Sequence, residues 1–294
     1  MSWKALSTTG VLIGAVLVTA SPAQAAGQVV TRVAESDRTA ALAYWTPERM
    51  RATGEDALPP AEQIARPYPG PPPAGVGRLF ATTSQGIDLT CSATVVPSAT
   101  KDVVFTAGHC LHGGWDRRDN PIKIVNVVFA PGYDHGASEV FAARAFAWSD
   151  TYSGPSSGAD DDAVVALDPV GGRHVEDVAG AQDISFDEMA SPADATLLGY
   201  PVSQLDNGES LLACDRPASL RANSVYSVWQ TDCDLAPGSS GGPWLRGFDP
   251  ATGKGTIFGV TSRGTMNSDL VTTGMDASVL TSAVRELYES AGRL

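Results

Sequence analysis

The sequence is short of basic residues, and this limits what it can bind. It has 20 lysines and arginines against 33 aspartates and glutamates, which gives a formal net charge of −13 at pH 7. Residues 1–74 carry six charges of each sign, so the whole negative excess falls in residues 75–294. An acidic domain repels the phosphates of nucleic acids. We therefore expect no nucleic-acid partner, and the charge favours solubility and a monomer.

Long hydrophobic runs are also missing after the first residues. The apolar stretch 10–19 is shorter than the membrane span of about 20 residues, and it lies between Lys4 and the step Ala23-Gln24-Ala25. This order is typical of a secretory signal peptide. We expect residues 1–25 to be removed, leaving a secreted, extracellular protein without membrane contact.

Residues 26–74 differ in character from the rest of the chain. Prolines dominate the run from Pro59 to Pro73, where they remove hydrogen-bond donors and favour an extended linker. We interpret residues 26–74 as a pro-segment and proline-rich linker that is cut around residues 66–76. A flexible arm that simply remains is the alternative.

Cysteine is scarce, and all four cysteines lie after residue 75: Cys91, Cys110, Cys214 and Cys233. An even number in an exported chain indicates disulfides, with three possible pairings. A zinc site at His109, Cys110 and His112 is disfavoured because no second ligand pair follows at suitable spacing. We expect no metal and no cofactor.

Three short motifs carry chemistry. Ser240 lies in Gly238-Ser239-Ser240-Gly241-Gly242-Pro243, where glycines can present a nucleophilic hydroxyl, and His109 lies in Thr106-Ala107-Gly108-His109-Cys110. A serine needs such a base to take its proton, and the base needs a carboxylate to orient it. The acidic cluster 160–162 runs into the apolar stretch 163–167, which predicts a carboxylate at the mouth of a buried strand.

The order of these motifs separates enzyme classes. Residues 238–242 also fit the G-x-S-x-G elbow of α/β-hydrolases, in which a histidine follows the serine. None of the four histidines, His109, His112, His135 and His174, follows Ser240. The order histidine, aspartate, serine remains, which is the chymotrypsin order.

On these motifs, residues 75–294 resemble the trypsin/chymotrypsin-like serine peptidases, and more closely their secreted bacterial members of the streptogrisin and glutamyl-endopeptidase types. Further matching segments are Cys91-Ser92-Ala93-Thr94-Val95-Val96, Asp161-Asp162-Ala163-Val164-Val165, Leu198-Gly199-Tyr200-Pro201 and Gly259-Val260-Thr261-Ser262-Arg263-Gly264. The resemblance implies a catalytic triad of His109, Asp161 and Ser240, with Asp160 and Asp162 as competitors for the place of the acid. It also implies disulfides Cys91–Cys110 and Cys214–Cys233, and an oxyanion hole made by the N–H groups of Gly238 and Ser240.

Strand-like segments separated by glycine, proline, aspartate, asparagine and serine favour an all-β protein. We predict strands at 78–81, 89–96, 103–107, 122–130, 139–148, 163–168, 195–199, 224–231, 256–262 and 270–273. From Val279 the apolar residues follow helical spacing, which predicts a C-terminal amphipathic helix. The length suits two antiparallel six-stranded β-barrels with the active site between them.

The sequence offers two alternatives for the substrate preference. By resemblance, Ser262, Arg263 and Gly264 form an edge that pairs with the substrate backbone. Asp234 lies six residues before Ser240, where trypsins carry the acid that binds basic side chains, although the usual cysteine between them is missing. Arg263 would instead favour acidic side chains, but Thr261 replaces the histidine that glutamyl endopeptidases have there. We prefer the basic alternative.

The expected function is that of a secreted serine endopeptidase acting on proteins or peptides through an acyl-enzyme. Ser239 replaces the aspartate that receives the new N-terminus in animal trypsins, so activation by that ion pair is not expected. Two alternatives stay open: a catalytically inactive homologue acting as a secreted binding module, and a hydrolase that prefers esters.

Overall fold

The computed structural model describes residues 27–54, 63–136, 139–155, 157–202, 205–222, 226–235, 237–269 and 271–294. The predicted signal peptide, residues 1–25, lies outside these ranges. The described residues before the first barrel form two strands and two helices: β1 (Gln28–Arg32), α1 (Glu35–Tyr44), α2 (Pro47–Ala52) and β2 (Arg66–Pro67). No helix of the described residues is long and apolar enough to cross a membrane.

Six strands close a first antiparallel barrel. They are β3 (Val76–Thr83), β4 (Asp88–Val95), β5 (Val103–Thr106), β6 (Ile124–Pro131), β7 (Phe141–Ser149) and β8 (Ala163–Leu167). Pairing runs in the order β7-β6-β3-β4-β5-β8, and β8 returns to β7. Every residue of β3 and β8 is buried, because one face of each strand fills the barrel and the other is covered by neighbouring parts of the molecule.

A short helix, α3 (Val175–Ala179), and the two-residue strand β9 (Asp183–Ile184) lead to a second barrel. Its strands are β10 (Ala193–Gly199), β11 (Leu212–Ala222), β12 (Ser227–Thr231), β13 (Pro243–Asp249), β14 (Lys254–Met266) and β15 (Thr272–Ser278). They pair in the order β10-β13-β14-β15-β12-β11, and β11 closes on β10. The C-terminal helix α4 (Ser282–Ala291) buries Val284, Leu287 and Ala291. The predicted architecture of two six-stranded barrels and a C-terminal helix is confirmed.

The segment before residue 55 is folded onto the first barrel. Strand β1 pairs with β7 over five positions, and α1 lies against β6 and β7. Trp45 is 3% exposed, and Met50 is also buried in the main core cluster. Residues 27–54 thus form regular structure that packs on the first barrel. Removal of the pro-segment stays a prediction.

Both predicted disulfides are present, Cys91–Cys110 and Cys214–Cys233. The first joins β4 to the turn that carries His109. The second joins β11 to the chain just after β12.

A buried ion pair joins the two barrels. Arg78 of β3 is fully buried, and its Nη1 lies 2.9 Å from Oε1 of Glu209, which precedes β11. The Tyr133 hydroxyl donates to the same carboxylate at 2.8 Å. Removing one member of such a cluster leaves the other charge buried and unpaired.

A second buried acid makes another contact between the barrels. Asp162, at the start of β8, accepts a hydrogen bond of 2.7 Å from the hydroxyl of Ser278 in β15. Its side chain is completely buried, and this burial raises the pKa of the Asp162 carboxyl well above its ordinary value.

We predict that Glu209→Ala lowers the free energy of unfolding by about 3–5 kcal/mol, because the Arg78 charge loses its partner. The matched control is Asp177→Ala, which breaks an exposed pair with Lys101 at 2.6 Å. That control should change stability little, because exposed pairs contribute little. Urea denaturation measures both, and equal effects would contradict the assigned role of the buried pair.

We also predict that Asp162→Asn becomes progressively more stable than the parent protein as the pH rises. A group whose folded-state pKa is raised contributes its full stability below its unfolded pKa and loses it as the pH rises towards the folded value. The difference should grow as the pH rises above about 4, the ordinary pKa of an aspartate, by at most about 1.4 kcal/mol per pH unit. Asp160→Asn in the same loop is the control, and parallel curves for Asp162→Asn and the parent would refute the burial argument.

Candidate active site

His109 lies in a short 3-10 turn, Gly108–Cys110, directly after β5. The disulfide at Cys110 ties this turn back to β4. Gly108 is needed for close packing, because a Cβ there would lie 2.9 Å from the ring of Tyr152 and 3.1 Å from Oδ1 of Asp161. The turn therefore brings the imidazole up to the start of β8.

Asp161 accepts three hydrogen bonds that together fix both of its oxygens. Its Oδ2 lies 2.8 Å from Nδ1 of His109, and its Oδ1 accepts from the His109 backbone N–H at 2.8 Å. The hydroxyl of Ser262 donates to Oδ2 at 2.5 Å. A carboxylate bound in this way holds the imidazole in one orientation, with Nε2 turned away from it.

The environment keeps the Asp161 carboxyl ionised. It is only 2% exposed, and burial by itself would raise its pKa. The hydrogen bonds from His109 and Ser262 outweigh the burial and hold the pKa of Asp161 below its usual value. Of the three acids in the cluster, Asp161 is the one that meets His109, since Asp160 bonds to Thr281 and Asp162 bonds to Ser278.

Ser262 reaches Asp161 because of an irregularity in β14. The pairing of β14 with β15 shifts register between Thr261 and Arg263, so Ser262 stands in a bulge. Bulges redirect side chains, often next to active sites. The pairing of β14 with β13 ends at Val260, which leaves residues 262–264 on an edge that no described strand covers.

The loop that carries Ser240 depends on its glycines. Gly238 and Gly241 have positive φ angles of 101° and 78°. A Cβ on Gly241 would lie 2.0 Å from Oγ1 of Thr106, and one on Gly238 would lie 2.6 Å from the Tyr200 carbonyl oxygen. The loop thus packs directly against the chain that leads to His109, a position in which only glycine fits.

Hydrogen bonds orient both of the N–H groups predicted for the oxyanion hole. The N–H of Gly238 shares a peptide plane with the Pro237 carbonyl, which accepts from Val202 N at 2.7 Å. The N–H of Ser240 shares a plane with the Ser239 carbonyl, which accepts from Gly242 N at 2.8 Å. In a trans peptide the N–H points opposite to the C=O. The N–H of Gly238 therefore points away from Val202, and the N–H of Ser240 points away from Gly242.

Ser92 was not singled out by the sequence, and it holds this loop from the first barrel. Its Oγ accepts from Tyr200 N at 2.9 Å and donates to the Gly238 carbonyl at 3.0 Å. Its backbone N–H donates to the Ser240 carbonyl at 2.7 Å. The position directly after Cys91 was the only sequence signal, and nothing local indicates contacts more than 100 residues away.

Two predicted specificity residues have other partners. The carboxylate of Asp234 is 3% exposed and accepts from the backbone N–H groups of Ile64 and Ala65, both at 2.7 Å. This differs from a carboxylate that is presented to a basic substrate side chain, because the chain before the first barrel takes its hydrogen bonds. Arg263 donates to the Ser157 carbonyl at 2.5 Å and lies over the Tyr226 ring. Gly264 is exposed on the open edge.

Two groups of possible metal ligands occur among the described residues. They are Cys91, His109 and Cys110, and Cys214, Cys233 and Asp234. The cysteines of each group form a disulfide, so they offer no thiolate to a metal.

Comparison with solved structures gives clear matches. A thermostable serine protease, AL20, from an extremophilic microorganism is 31% identical over 75% of this chain and 97% of its own, with a TM-score of 0.65. The protease Anisep from Arthrobacter nicotinovorans is 25% identical over 79% of this chain and 100% of its own, with a TM-score of 0.66. A Glu endopeptidase at 15% identity shares the fold, with a TM-score of 0.58 over 81% of this chain and 100% of its own.

No protein-family model and no curated protein matches the sequence. The identity with AL20 over almost all of that protein, together with the shared double barrel, is enough to assign a family. The chain belongs to the trypsin/chymotrypsin-like serine proteases.

Proposed function

We propose that the chain is a secreted serine endopeptidase that cleaves protein or peptide substrates through an acyl-enzyme. Ser240 is the nucleophile, His109 the general base and acid, and Asp161 the residue that orients His109. The observation that carries this proposal is the hydrogen bond of 2.8 Å between His109 Nδ1 and Asp161, made beside a serine loop that is packed against the chain leading to His109.

The mechanism follows from these positions. Nε2 of His109 takes the proton of the Ser240 hydroxyl as its oxygen bonds to the substrate carbonyl carbon. The resulting oxyanion is stabilised by the N–H groups of Gly238 and Ser240, whose peptide planes are already oriented. The imidazolium then gives its proton to the amine that leaves as the C–N bond breaks. Water, activated by the same imidazole, hydrolyses the ester and regenerates Ser240.

The substrate backbone has a docking edge at residues 262–264. An extended peptide can pair there with β14 on the side left uncovered by β13. Because the hydroxyl of Ser262 bonds to Asp161, the same short segment that aligns the substrate also supports the acid.

Secretion is supported by the two disulfides, which persist in oxidising compartments, and by the signal-like residues 1–25. The prediction that the chain is cut around residues 66–76 belongs to this proposal. A cut there would separate residues 64–65, which bind Asp234, from the peptidase domain.

We expect a fluorophosphonate probe to label Ser240, and we expect Ser240→Ala to abolish labelling and to lower kcat/KM for peptides by at least about 10⁴-fold. Ser239→Ala is the matched control. Its hydroxyl is buried and bonds to the Leu235 carbonyl, so labelling at Ser240 should persist. Mass spectrometry locates the adduct.

The outcomes separate the alternatives. A folded, secreted protein that the probe never labels would favour the inactive binding module. Labelling with turnover of esters but no cleavage of any protein would favour the esterase.

We predict that Ser92→Ala lowers kcat by about tenfold and leaves KM nearly unchanged. The reason is that the Gly238 carbonyl loses a hydrogen bond that holds residues 238–243, which we call the oxyanion loop. Ser92→Thr keeps the hydroxyl and should recover most of the activity. Steady-state kinetics on a peptide substrate give kcat and KM of each variant. Thermal denaturation checks that each variant is folded. A matching loss in both variants, or a change confined to KM, would argue against a positioning role.

A further inference from the structure

The segment that ends at Gly54 contacts both barrels at the side of the cleft. Nε1 of Trp45 donates to a backbone carbonyl of β6 at 2.6 Å, and Arg49 of α2 pairs with Asp88 at the start of β4 at 2.7 Å. Gly54 lies against Asn207 before β11, where a Cβ would come within 2.5 Å of the Asn207 carbonyl oxygen. Residues 44–54 therefore span from the first barrel to the second.

An open cavity of about 790 Å³ lies between α2 and the oxyanion loop. Its walls include, on one side, Glu48, Arg49 and Ala52, and on the other, Thr90, Pro237 and Gly238. The cavity thus begins at one of the two proposed oxyanion donors. Its outer wall belongs to residues 26–74, which we interpreted from the sequence as a removable pro-segment and linker.

The edge of β4 shows which part of a substrate this cavity would receive. The backbone N–H of Ser92 donates to Ser240 and not to β3. In an antiparallel pair, residues two apart present their backbone groups to the same side. The N–H and C=O of Thr90 therefore point towards the cavity. A peptide whose acyl part pairs with residues 262–264 would reach this edge with its leaving-group part.

Resting on the proposed peptidase function, we propose that residues 46–54 stay bound to the active enzyme through these contacts, even after a cut around residues 66–76. There they form the outer wall of the site for the leaving-group part of the substrate, with a preference for basic side chains.

The preference follows from the charges that line the cavity. Arg49 and Asp88 neutralise each other, and Glu48 adds a negative charge on a side chain that is 77% exposed. Hydrogen bonds from its own backbone N–H and from Thr46 hold the pKa of Glu48 below its usual value. Arg51 approaches Glu48 at 3.6 Å on the exposed face, a pair too weak to remove its charge from an incoming cation.

The test uses substrates that share one acyl part. One is a p-nitroanilide, which has no leaving-group residues, and two are quenched fluorescent peptides with either Lys or Glu in the first two leaving-group positions. Ala52→Trp fills the cavity from α2, and Ala43→Trp on the exposed side of α1 is the matched control. Glu48→Lys reverses the charge, and Glu48→Gln removes it.

We expect Ala52→Trp to lower the ratio of peptide to anilide kcat/KM by about tenfold, as for a contact of ordinary strength, and Ala43→Trp to leave it unchanged. Glu48→Lys should lower the preference for Lys over Glu by about threefold or more, with Glu48→Gln between it and the parent. Native mass spectrometry of the probe-labelled, active enzyme, which preserves non-covalent contacts, should find residues 46–54 still bound.

An unchanged ratio in Ala52→Trp, or active enzyme without residues 46–54, would overturn the inference while the peptidase assignment stands. If the parent cleaves neither the anilide nor the peptides, the proposed function itself fails, and this inference fails with it.

Discussion

The hydrogen bonds to the Asp161 carboxylate are the contact on which the rest of the site depends, because they come from both barrels. His109 belongs to the first barrel and Ser262 to the second, and both bond to the same acid. A charge buried to this degree would be costly without donors, and three donors compensate it. Since the orientation of the imidazole follows from this carboxylate, the packing of the two barrels and the geometry of the site are set by the same contacts.

The proposed nucleophile, Ser240, lies on the second barrel and its proposed base, His109, on the first, so their relative position depends on contacts that cross the interface. Ser92 provides backbone and side-chain bonds to the oxyanion loop. Asp162 bonds to Ser278 of β15, and Asp160 accepts from Thr281, the residue that caps α4. The three consecutive acids therefore have different partners. Asp161 bonds to His109, while Asp162 and Asp160 connect their loop to the second barrel and to the C-terminal helix. The N-terminal segment adds a further bridge at the side of the cleft.

Patterns that are local in the sequence predicted local structure well. The run 163–167 and the helical spacing after Val279 were assigned correctly, because burial of a β-branched run or of one helix face leaves a periodic signal. Strands β11 and β13 were not predicted, because Pro217 and charged residues interrupt the apolar pattern of β11 and a glycine interrupts that of β13. Both segments are extended because they pair with neighbouring strands. Helix α2 was not predicted, because only the C-terminal segment shows a clear helical spacing; Pro47 occupies the first turn of α2, where proline is favoured, and Thr46 caps it. The roles of Ser92 and Asp234 depend on partners more than 100 residues away, which no local pattern reports.

The most direct test of the central claim is proton NMR of the protein labelled with ¹⁵N in its histidines. A proton on Nδ1 of His109 that is bonded to a buried carboxylate should give a strongly deshielded signal coupled to that nitrogen. The account predicts that Asp161→Ala removes this signal and that Asp162→Asn, one residue further on, retains it. A signal that survives Asp161→Ala, or that depends on Asp162 instead, would contradict the assignment of Asp161 as the group that orients His109.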